Sequence, residues 1–285
     1  MTQTLTHLPD ARPLLLKALM TATRKPTADV VIPPLSVKVS GVRAEPALLD
    51  RYRDVCGFAS SEFLPITYPQ VLATSLHLWL MTQPEFPLPM LGMVHLRNKI
   101  EQPTGGLPAN GVYDVLASVG PARKLPQGVI FDLKTEFTDA AGQVVYSAIT
   151  TPLVRLKTGL QKNKSQPEPN TSGLADYREV GVPADTGRRY AAVSQDYNPI
   201  HLFPLTAKLF GFNRAIAHGM WSVAHCAALL EGDLGAQPRQ LQVQYKAPLL
   251  LPNKAVLKRS TAAGSQDFML LAERGEKVFL TGSIR

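Results

Sequence analysis

Two segments of the chain are apolar on nearly every side of a helical pattern, and each is followed by a region of alternating apolar and polar residues. The first segment is "YPQVLATSLHLWLM" (68–81), and the second is "HGMWSVAHCAALL" (218–230). A helix of this kind must be buried on nearly every side. In the regions that follow, Val, Tyr, Phe, Ile and Thr alternate with polar residues between Gly-, Pro- and Asp-containing turns, which predicts strands.

At least four strands are predicted in each half. They lie in 93–101, 111–119, 128–139 and 142–154, and then in 239–248, 254–263, 267–275 and 277–284. A curved antiparallel sheet wrapped around the apolar helix would bury it, and two such units joined edge to edge would cover their exposed edge strands. We therefore expect an α+β protein built as a pseudo-dimer of two sheet-and-helix units.

An internal repeat supports this division. "RYRDVCGFASSEF" (51–63) matches "RYAAVSQDYNPIH" (189–201) at a constant offset of 138 positions. Where the second copy has Asp196 and His201, the first has Phe58 and Phe63. Any acid–base chemistry is therefore expected in the second half.

A polar segment separates the halves. Residues 157–173, "KTGLQKNKSQPEPNTSG", contain almost nothing to bury and have the composition of a linker. The sequence thus predicts an N-terminal unit at 1–156 and a C-terminal unit at 174–285.

Composition narrows the function classes. The 285 residues are 45% hydrophobic and 18% charged, with a net charge of +8, which suits a globular protein with an anionic partner. The basic residues are dispersed, so we expect no nucleic-acid binding; an ordinary soluble surface explains most of them.

The cellular setting is indicated by the cysteines and by the apolar runs. Two cysteines favour a reduced, cytoplasmic setting. We expect no signal peptide, because Lys17 interrupts the apolar run at 14–20, and no membrane span.

The segment "VSQDYNPIH" (193–201) carries the candidate chemistry. Asp196 and His201 stand on either side of Asn198-Pro199, a turn signal. A rigid turn can hold a carboxylate and an imidazole ready for proton transfer. On spacing alone, however, most such pairs are surface residues or local hydrogen-bond partners.

A longer pattern around this segment resembles a known family. The segment "YAAVSQDYNPIHLFPLTA" (190–207) contains, in this order, an aromatic residue, an aliphatic one, Ser, Asp, Asn, Pro, an aliphatic residue and His. This order resembles the signature of MaoC-like, hydratase-2 type enoyl-thioester hydratases and dehydratases. Members of that family have the hot-dog fold. Gln195 stands where the family usually has Gly. "FGFNRAIAHGMWS" (210–222) also resembles the family. The first half is similar to the non-catalytic unit of double-hot-dog members. The resemblance therefore covers most of the chain, apart from the linker and about 35 N-terminal residues.

The resemblance implies a hydro-lyase that adds water to trans-2-enoyl thioesters and removes it from (3R)-3-hydroxyacyl thioesters in fatty-acid metabolism. Asp196 and His201 would hold the water, with His201 the better candidate to take its proton. The backbone N–H of Gly219 would stabilise enolate charge, with helix packing alone as the alternative role of this glycine. Asn198 and His218 are candidate substrate contacts, although a structural role is at least as well supported for both.

The remaining candidates receive simpler assignments. The six histidines lack local metal-ligand spacing, so we predict no metal and no cofactor. His225 and Cys226 are expected in the core. His77 and His95 lie in the half without the Asp–His pair, so we expect no catalytic role for them. Candidate contacts for CoA phosphates, each more simply read as solvated charge, are Arg188, Arg189, Lys208, Arg214 and Lys246.

The sequence leaves three points open. The thioester carrier is either CoA or an acyl carrier protein, and the chain is either a monomer, as its own pseudo-dimer, or a homodimer. The alternative function is a non-catalytic thioester-binding or scaffold subunit of a fatty-acid or polyketide pathway.

Overall fold

The first half of the chain forms a curved, mainly antiparallel sheet. The computed structural model describes residues 2–161, 173–260 and 265–285. Eight strands lie in the first half: β1 (Thr2–Leu5), β2 (Leu35–Val42), β3 (Val94–Glu101), β4 (Tyr113–Val119), β5 (Arg123–Leu125), β6 (Gly128–Ile130), β7 (Leu133–Thr138) and β8 (Val144–Val154). Five of them form the main sheet in the order β2-β4-β7-β8-β3. The predicted segment 128–139 is divided between β6 and β7.

The second half repeats this arrangement. Its strands are β9 (Ala175–Val182), β10 (Gln240–Tyr245), β11 (Asn253–Arg259), β12 (Gln266–Ala272) and β13 (Val278–Ile284). Their order is β9-β11-β12-β13-β10, which matches the first half strand for strand. The two sheets join where β3 pairs with β10 in antiparallel register, with Asn98 opposite Val243. Joining the sheets here converts two edge strands into internal ones, as expected for two units joined edge to edge.

Helices pack on these sheets. The described residues contain α1 (Ala11–Met20), α2 (Pro46–Cys56), α3 (Tyr68–Leu72), α4 (Thr74–Thr82), α5 (Thr186–Ser194), α6 (Pro204–Lys208) and α7 (Gly219–Glu231), with short 3₁₀ turns at Thr21–Thr23 and Pro199–His201. The second apolar helix is α7, as predicted. The first is divided, because Ala73, with ψ −5°, ends α3 and the next turn restarts as α4.

The repeated segments form α2 and α5, which pack against each other. Tyr52 and Tyr190, which the offset of 138 aligns, place their ring centroids 6.1 Å apart. Both rings are buried in one core shared by the two halves. The side chains of α7 also reach α2: Trp221 Nε1–H donates to the carbonyl of Val55 at 3.1 Å, and His225 Nδ1 bonds the carbonyl of Cys56 at 2.9 Å. The halves therefore share a core as well as a sheet.

The N-terminal segment has a structure that the sequence patterns did not predict. Strand β1 pairs in parallel with β2, and α1 packs on α4. The guanidinium of Arg24 donates to the carbonyls of Met81, Gln83 and Leu88 at 2.8–3.0 Å. These three bonds fix the segment to the end of α4 and to the loop that follows it.

Most of the predicted linker lies outside the described residues, since only its two ends, 157–161 and 173, are described, and neither contains a helix or strand. In the described part of the chain, no helix has both the length and the apolar character needed to cross a membrane.

Candidate active site

A cavity of about 850 Å³ lies between the two halves. The first half lines it with α1, α3, α4 and β3, and the second half with the 194–201 segment, the start of α7 and part of β10. Its walls are mainly apolar, and the polar side chains of Asp196, His201 and His218 meet at one place on them. A mainly apolar cavity with a few convergent polar groups is typical of small-molecule sites.

The turn that carries Asp196 is built from local hydrogen bonds. Helix α5 ends at Gln195, which is in the left-handed region at φ 61°. The Asp196 carboxylate then accepts from the N–H of Asn198 at 3.2 Å, and the Asn198 side chain accepts from the N–H of Ile200 at 3.4 Å. Asn198 thus caps the 3₁₀ turn that ends at His201. Its role as a substrate contact stays a prediction.

His201 is held in one tautomer. Its ring is 8% exposed, and Nδ1 lies 2.9 Å from the carbonyl oxygen of Ile216. Because a carbonyl oxygen only accepts, Nδ1 must carry the proton, and Nε2 keeps a lone pair. The pKa of His201 is lowered to about 3, mainly by burial and also by the neighbouring His218, although the charge of Asp196 acts in the opposite direction. The ring is therefore a neutral imidazole with a basic nitrogen.

His218 fixes the backbone of the turn that carries Asp196. Its Nε2–H donates to the carbonyl of Asp196 at 2.9 Å and lies 3.9 Å from the Asp196 carboxylate. The ring is 2% exposed and stacks on His201, with centroids 3.7 Å apart. Burial lowers its pKa to about 3. These contacts support a positioning role, although the ring also lines the cavity and its contact with substrate stays a prediction.

The structure brings together three groups of the kind that bind metals. Ligand atoms of Asp196, His201 and His218 lie within 4.8 Å of one another, a cluster that local sequence spacing did not reveal. The two imidazole rings, however, are stacked with 27° between their planes. Nitrogen lone pairs lie in the ring planes, so one ion could not sit about 2.0–2.1 Å from both nitrogens without a ring turning. This geometry disfavours a metal, and the absence of one stays a prediction.

Gly219 begins α7 at the cavity wall. The N–H groups of a helix's first turn have no acceptor within the helix and carry the positive end of its dipole. A Cβ at Gly219 would lie 2.8 Å from the ring of Tyr245, which also lines the cavity. Packing against Tyr245 therefore requires glycine here, whatever else its N–H does.

The first half contributes more polar groups to the cavity than the sequence indicated. His77 and His95 both line it. His77 bonds Thr135 at 2.7 Å, whereas His95 lies near Tyr245, with ring centroids 6.0 Å apart. Burial lowers the pKa of His95 and the charge of Asp196 raises it. No sequence signal in the first half marks His95, because the contact arises only when β3 joins β10.

The other candidate residues divide between the core and the surface. Cys226 is fully buried, and His225 is partly buried against α2, in agreement with a core role. Of the candidate phosphate contacts, Lys246 alone lines the cavity. The other four are exposed on the surface at Arg188, Arg189, Lys208 and Arg214.

Comparison with known proteins places this site in a family. A family model described as "MaoC like domain" matches residues 163–266. The 3-hydroxyacyl-thioester dehydratase X of Mycobacterium tuberculosis is 32% identical over 259 residues, which cover 89% of this chain and 90% of that protein. The chain belongs to the MaoC-like dehydratase family. The crystal structure of HtdX from the same organism is 28% identical, has a TM-score of 0.76 and covers 88% of this chain and 99% of its own.

Other relatives of this MaoC-like chain agree with the assignment. The (R)-specific enoyl-CoA hydratase of Aeromonas caviae is 40% identical over 67 residues, which cover 21% of this chain and 47% of that enzyme. A Mycobacterium tuberculosis protein described as having a double hot-dog fold has a TM-score of 0.55 at 10% identity, a likeness that concerns fold alone. The expected double-hot-dog architecture is confirmed.

Proposed function

We propose that the protein adds water to trans-2-enoyl thioesters and removes it from (3R)-3-hydroxyacyl thioesters. The observation that carries the proposal is the pairing of a carboxylate and a neutral imidazole in one cavity, with ligand atoms of Asp196 and His201 within 4.8 Å of each other. One water that bonds both groups, at about 2.8 Å each, fits this separation. Two relatives of the protein are named as a 3-hydroxyacyl-thioester dehydratase and an (R)-specific enoyl-CoA hydratase, and these names support a hydro-lyase reaction.

The first step is attack of water on C3 of the enoyl group. His201 takes a water proton on Nε2, because Nδ1–H is already bound to Ile216. Asp196, whose side chain is 41% exposed, orients the water. The proton then passes from His201 to Asp196 and from Asp196 to C2, so one water is added and both side chains regain their starting forms. Both new bonds form on the face of the substrate that these groups share.

Negative charge develops on the thioester oxygen during this step. The N–H of Gly219 is assigned to that oxygen, because it begins α7 beside the two catalytic side chains and the helix dipole favours negative charge there. Asn198 and His218 hold the turn that carries Asp196. Both side chains also line the cavity, where each contacts the thioester or the water.

The two units divide the work in this proposal. Residues 174–285 supply the acid–base groups, and residues 1–156 supply the acyl-chain wall. Phe58, at the position equivalent to Asp196, is buried and stacks on Tyr52 at 6.2 Å, so it serves packing. One chain then contains one active site between its halves.

The test is hydration of crotonyl-CoA and octenoyl-CoA, followed by loss of the enoyl absorbance, with the product's configuration determined by chiral chromatography. Wild type should form the (3R) product. Asp196→Asn and His201→Ala should each lower kcat by about 100-fold or more, the usual effect of removing an acid–base group.

Controls make the same chemical changes away from the cavity. Asp267→Asn on β12 and His7→Ala near the N-terminus, at two exposed residues, should keep wild-type rates. Tight binding of the thioesters by wild type without turnover would reject hydration and favour the scaffold role. An (S) product would reject the stereochemical part alone.

A further inference from the structure

An exposed apolar surface lies beside the catalytic turn. Phe203, Leu205 and Leu209 are 50%, 77% and 80% exposed, and they lie on and around the short helix α6. We call these three residues, together with the cations Arg188 and Lys208, the α6 rim. Exposed apolar side chains that cluster with charged neighbours are typical of binding surfaces.

The α6 rim is basic as well as apolar. Between Asp185 and Glu231 the chain has one acidic residue, the catalytic Asp196, and four basic ones. Within the part of the chain that the structure describes, no carboxylate lies within 4.0 Å of Arg188 or Lys208. The Arg188 guanidinium lies over the ring of Phe203, 5.3 Å from its centroid. The local field therefore attracts an anionic partner.

The rim is attached directly to the catalytic turn. Phe203 follows His201 by two residues, and the Thr206 hydroxyl donates to the carbonyl of Pro199 at 2.6 Å. Beneath the surface, Ala207 packs with Ile200, which lines the cavity. A partner bound to the rim would therefore stand next to the end of the cavity where Asp196 is accessible.

We propose that the α6 rim is the docking surface for an acidic carrier protein that presents the acyl thioester on a pantetheine arm. This inference rests on the proposed function and selects a protein carrier over CoA. A nucleotide carrier needs cations for its phosphates but has no use for three exposed apolar side chains. A carrier protein with an acidic, partly apolar helix matches both properties, and its arm would enter the adjacent cavity.

Binding is measured directly, so that the result does not depend on turnover. A fluorescently labelled acidic acyl carrier protein loaded with octenoyl is titrated with the Asp196→Asn protein, and anisotropy gives Kd. Leu205→Ser with Leu209→Ser should weaken binding by about tenfold or more, because two apolar contacts are lost. Lys208→Glu should weaken it as well, and salt should lower the affinity of the parent protein but have less effect on this variant.

Matched controls repeat these changes elsewhere. Val144→Ser changes an exposed apolar residue on β8, and Lys134→Glu reverses an exposed charge on β7. Neither should change Kd by more than about twofold. Equal weakening by these controls would overturn the proposal, since the effect would then be one of general charge or folding.

Kinetics distinguish the carrier from other partners. In the active protein, the Leu205→Ser, Leu209→Ser pair should raise KM for the carrier-bound enoyl thioester and leave the octenoyl-pantetheine reaction unchanged. Equal losses with both substrates, or unchanged KM with both, would overturn carrier docking. Sedimentation with anionic vesicles that depends on these leucines, without an effect on carrier binding, would assign the rim to a membrane surface instead. If the wild-type protein binds the carrier through the α6 rim but hydrates neither thioester, the proposed function is rejected and the docking surface is kept.

Discussion

Gly57 and Gln195 end equivalent helices in the two halves with the same left-handed backbone. Gly57 follows α2 with φ 87° and ψ 19°, and Gln195 follows α5 with φ 61° and ψ 12°. The offset of 138 aligns them. In the described residues Gln195 is the one non-glycine residue with positive φ. The MaoC-like signature that this segment resembles usually has Gly at this position, and the left-handed turn before Asp196 gives the physical reason.

Gln195→Gly should stabilise the protein. A side chain in the left-handed region costs roughly 1–2 kcal/mol, partly offset by the greater freedom of glycine in the unfolded chain, so we expect a gain of about 0.5 kcal/mol. The measurement is the free energy of unfolding in urea. Gly57→Ala is the reverse change and should destabilise, because its Cβ would also lie 3.3 Å from His225. Lower stability of Gln195→Gly would show that the glutamine side chain contributes more than its backbone costs.

The repeat and the strands could be predicted from sequence because their signals are local. Alternation identified the eight strand segments, and the constant offset between 51–63 and 189–201 identified the duplication. The same alignment assigned Asp196 and His201 to one half. The structure adds that Tyr52 and Tyr190 meet across the pseudo-dimer.

The cavity wall could not be predicted, because it depends on contacts between distant segments. His95 reaches the site only through the pairing of β3 with β10. Helix α1 has no repeat partner, and its exposed leucines gave no clear burial pattern. The break at Ala73 depends on backbone angles that an apolar run does not reveal.

Stability should fall as pH falls below about 6.5. Burial lowers the pKa of His77 to about 4, and those of His201 and His218 to about 3, from 6.5. The unfolded chain therefore binds more protons in this range, and each histidine contributes a slope of about 1.4 kcal/mol per pH unit. Glu231 acts in the opposite direction between pH 4.5 and 7, because burial raises its pKa to about 7. Three histidines outweigh it.

His77→Gln tests the size of this effect. The variant should reduce the dependence of unfolding free energy on pH by about half a proton at pH 6.5 and by nearly one proton at pH 5. The change in slope, measured by urea unfolding at several pH values, separates titration from a constant loss of the bond to Thr135. His7→Gln, at an exposed residue, is the control and should leave the slope unchanged. An unaltered slope for His77→Gln would mean that His77 is protonated equally in both states.

Helix α1 should limit the length of the acyl chain. Leu15 lines the cavity, whereas Met20 of the same helix is 72% exposed and does not. Leu15→Trp should therefore lower kcat/KM for octenoyl-CoA by about tenfold relative to crotonyl-CoA, because the larger ring occupies acyl space. Met20→Trp makes the same kind of change outside the cavity and should keep the wild-type ratio. Parallel losses with both chain lengths would instead indicate a general distortion.

The contact between α7 and α2 should stabilise both halves together. Trp221 Nε1–H and His225 bind carbonyls at the end of α2, where intrahelical donors are missing. Trp221→Phe keeps an aromatic ring but leaves the carbonyl of Val55 without this donor, so unfolding free energy should fall by about 1–3 kcal/mol. Unfolding should stay a single transition by fluorescence and circular dichroism, because the halves share a sheet and a core. Two separate transitions in the variant would show that this contact alone couples them.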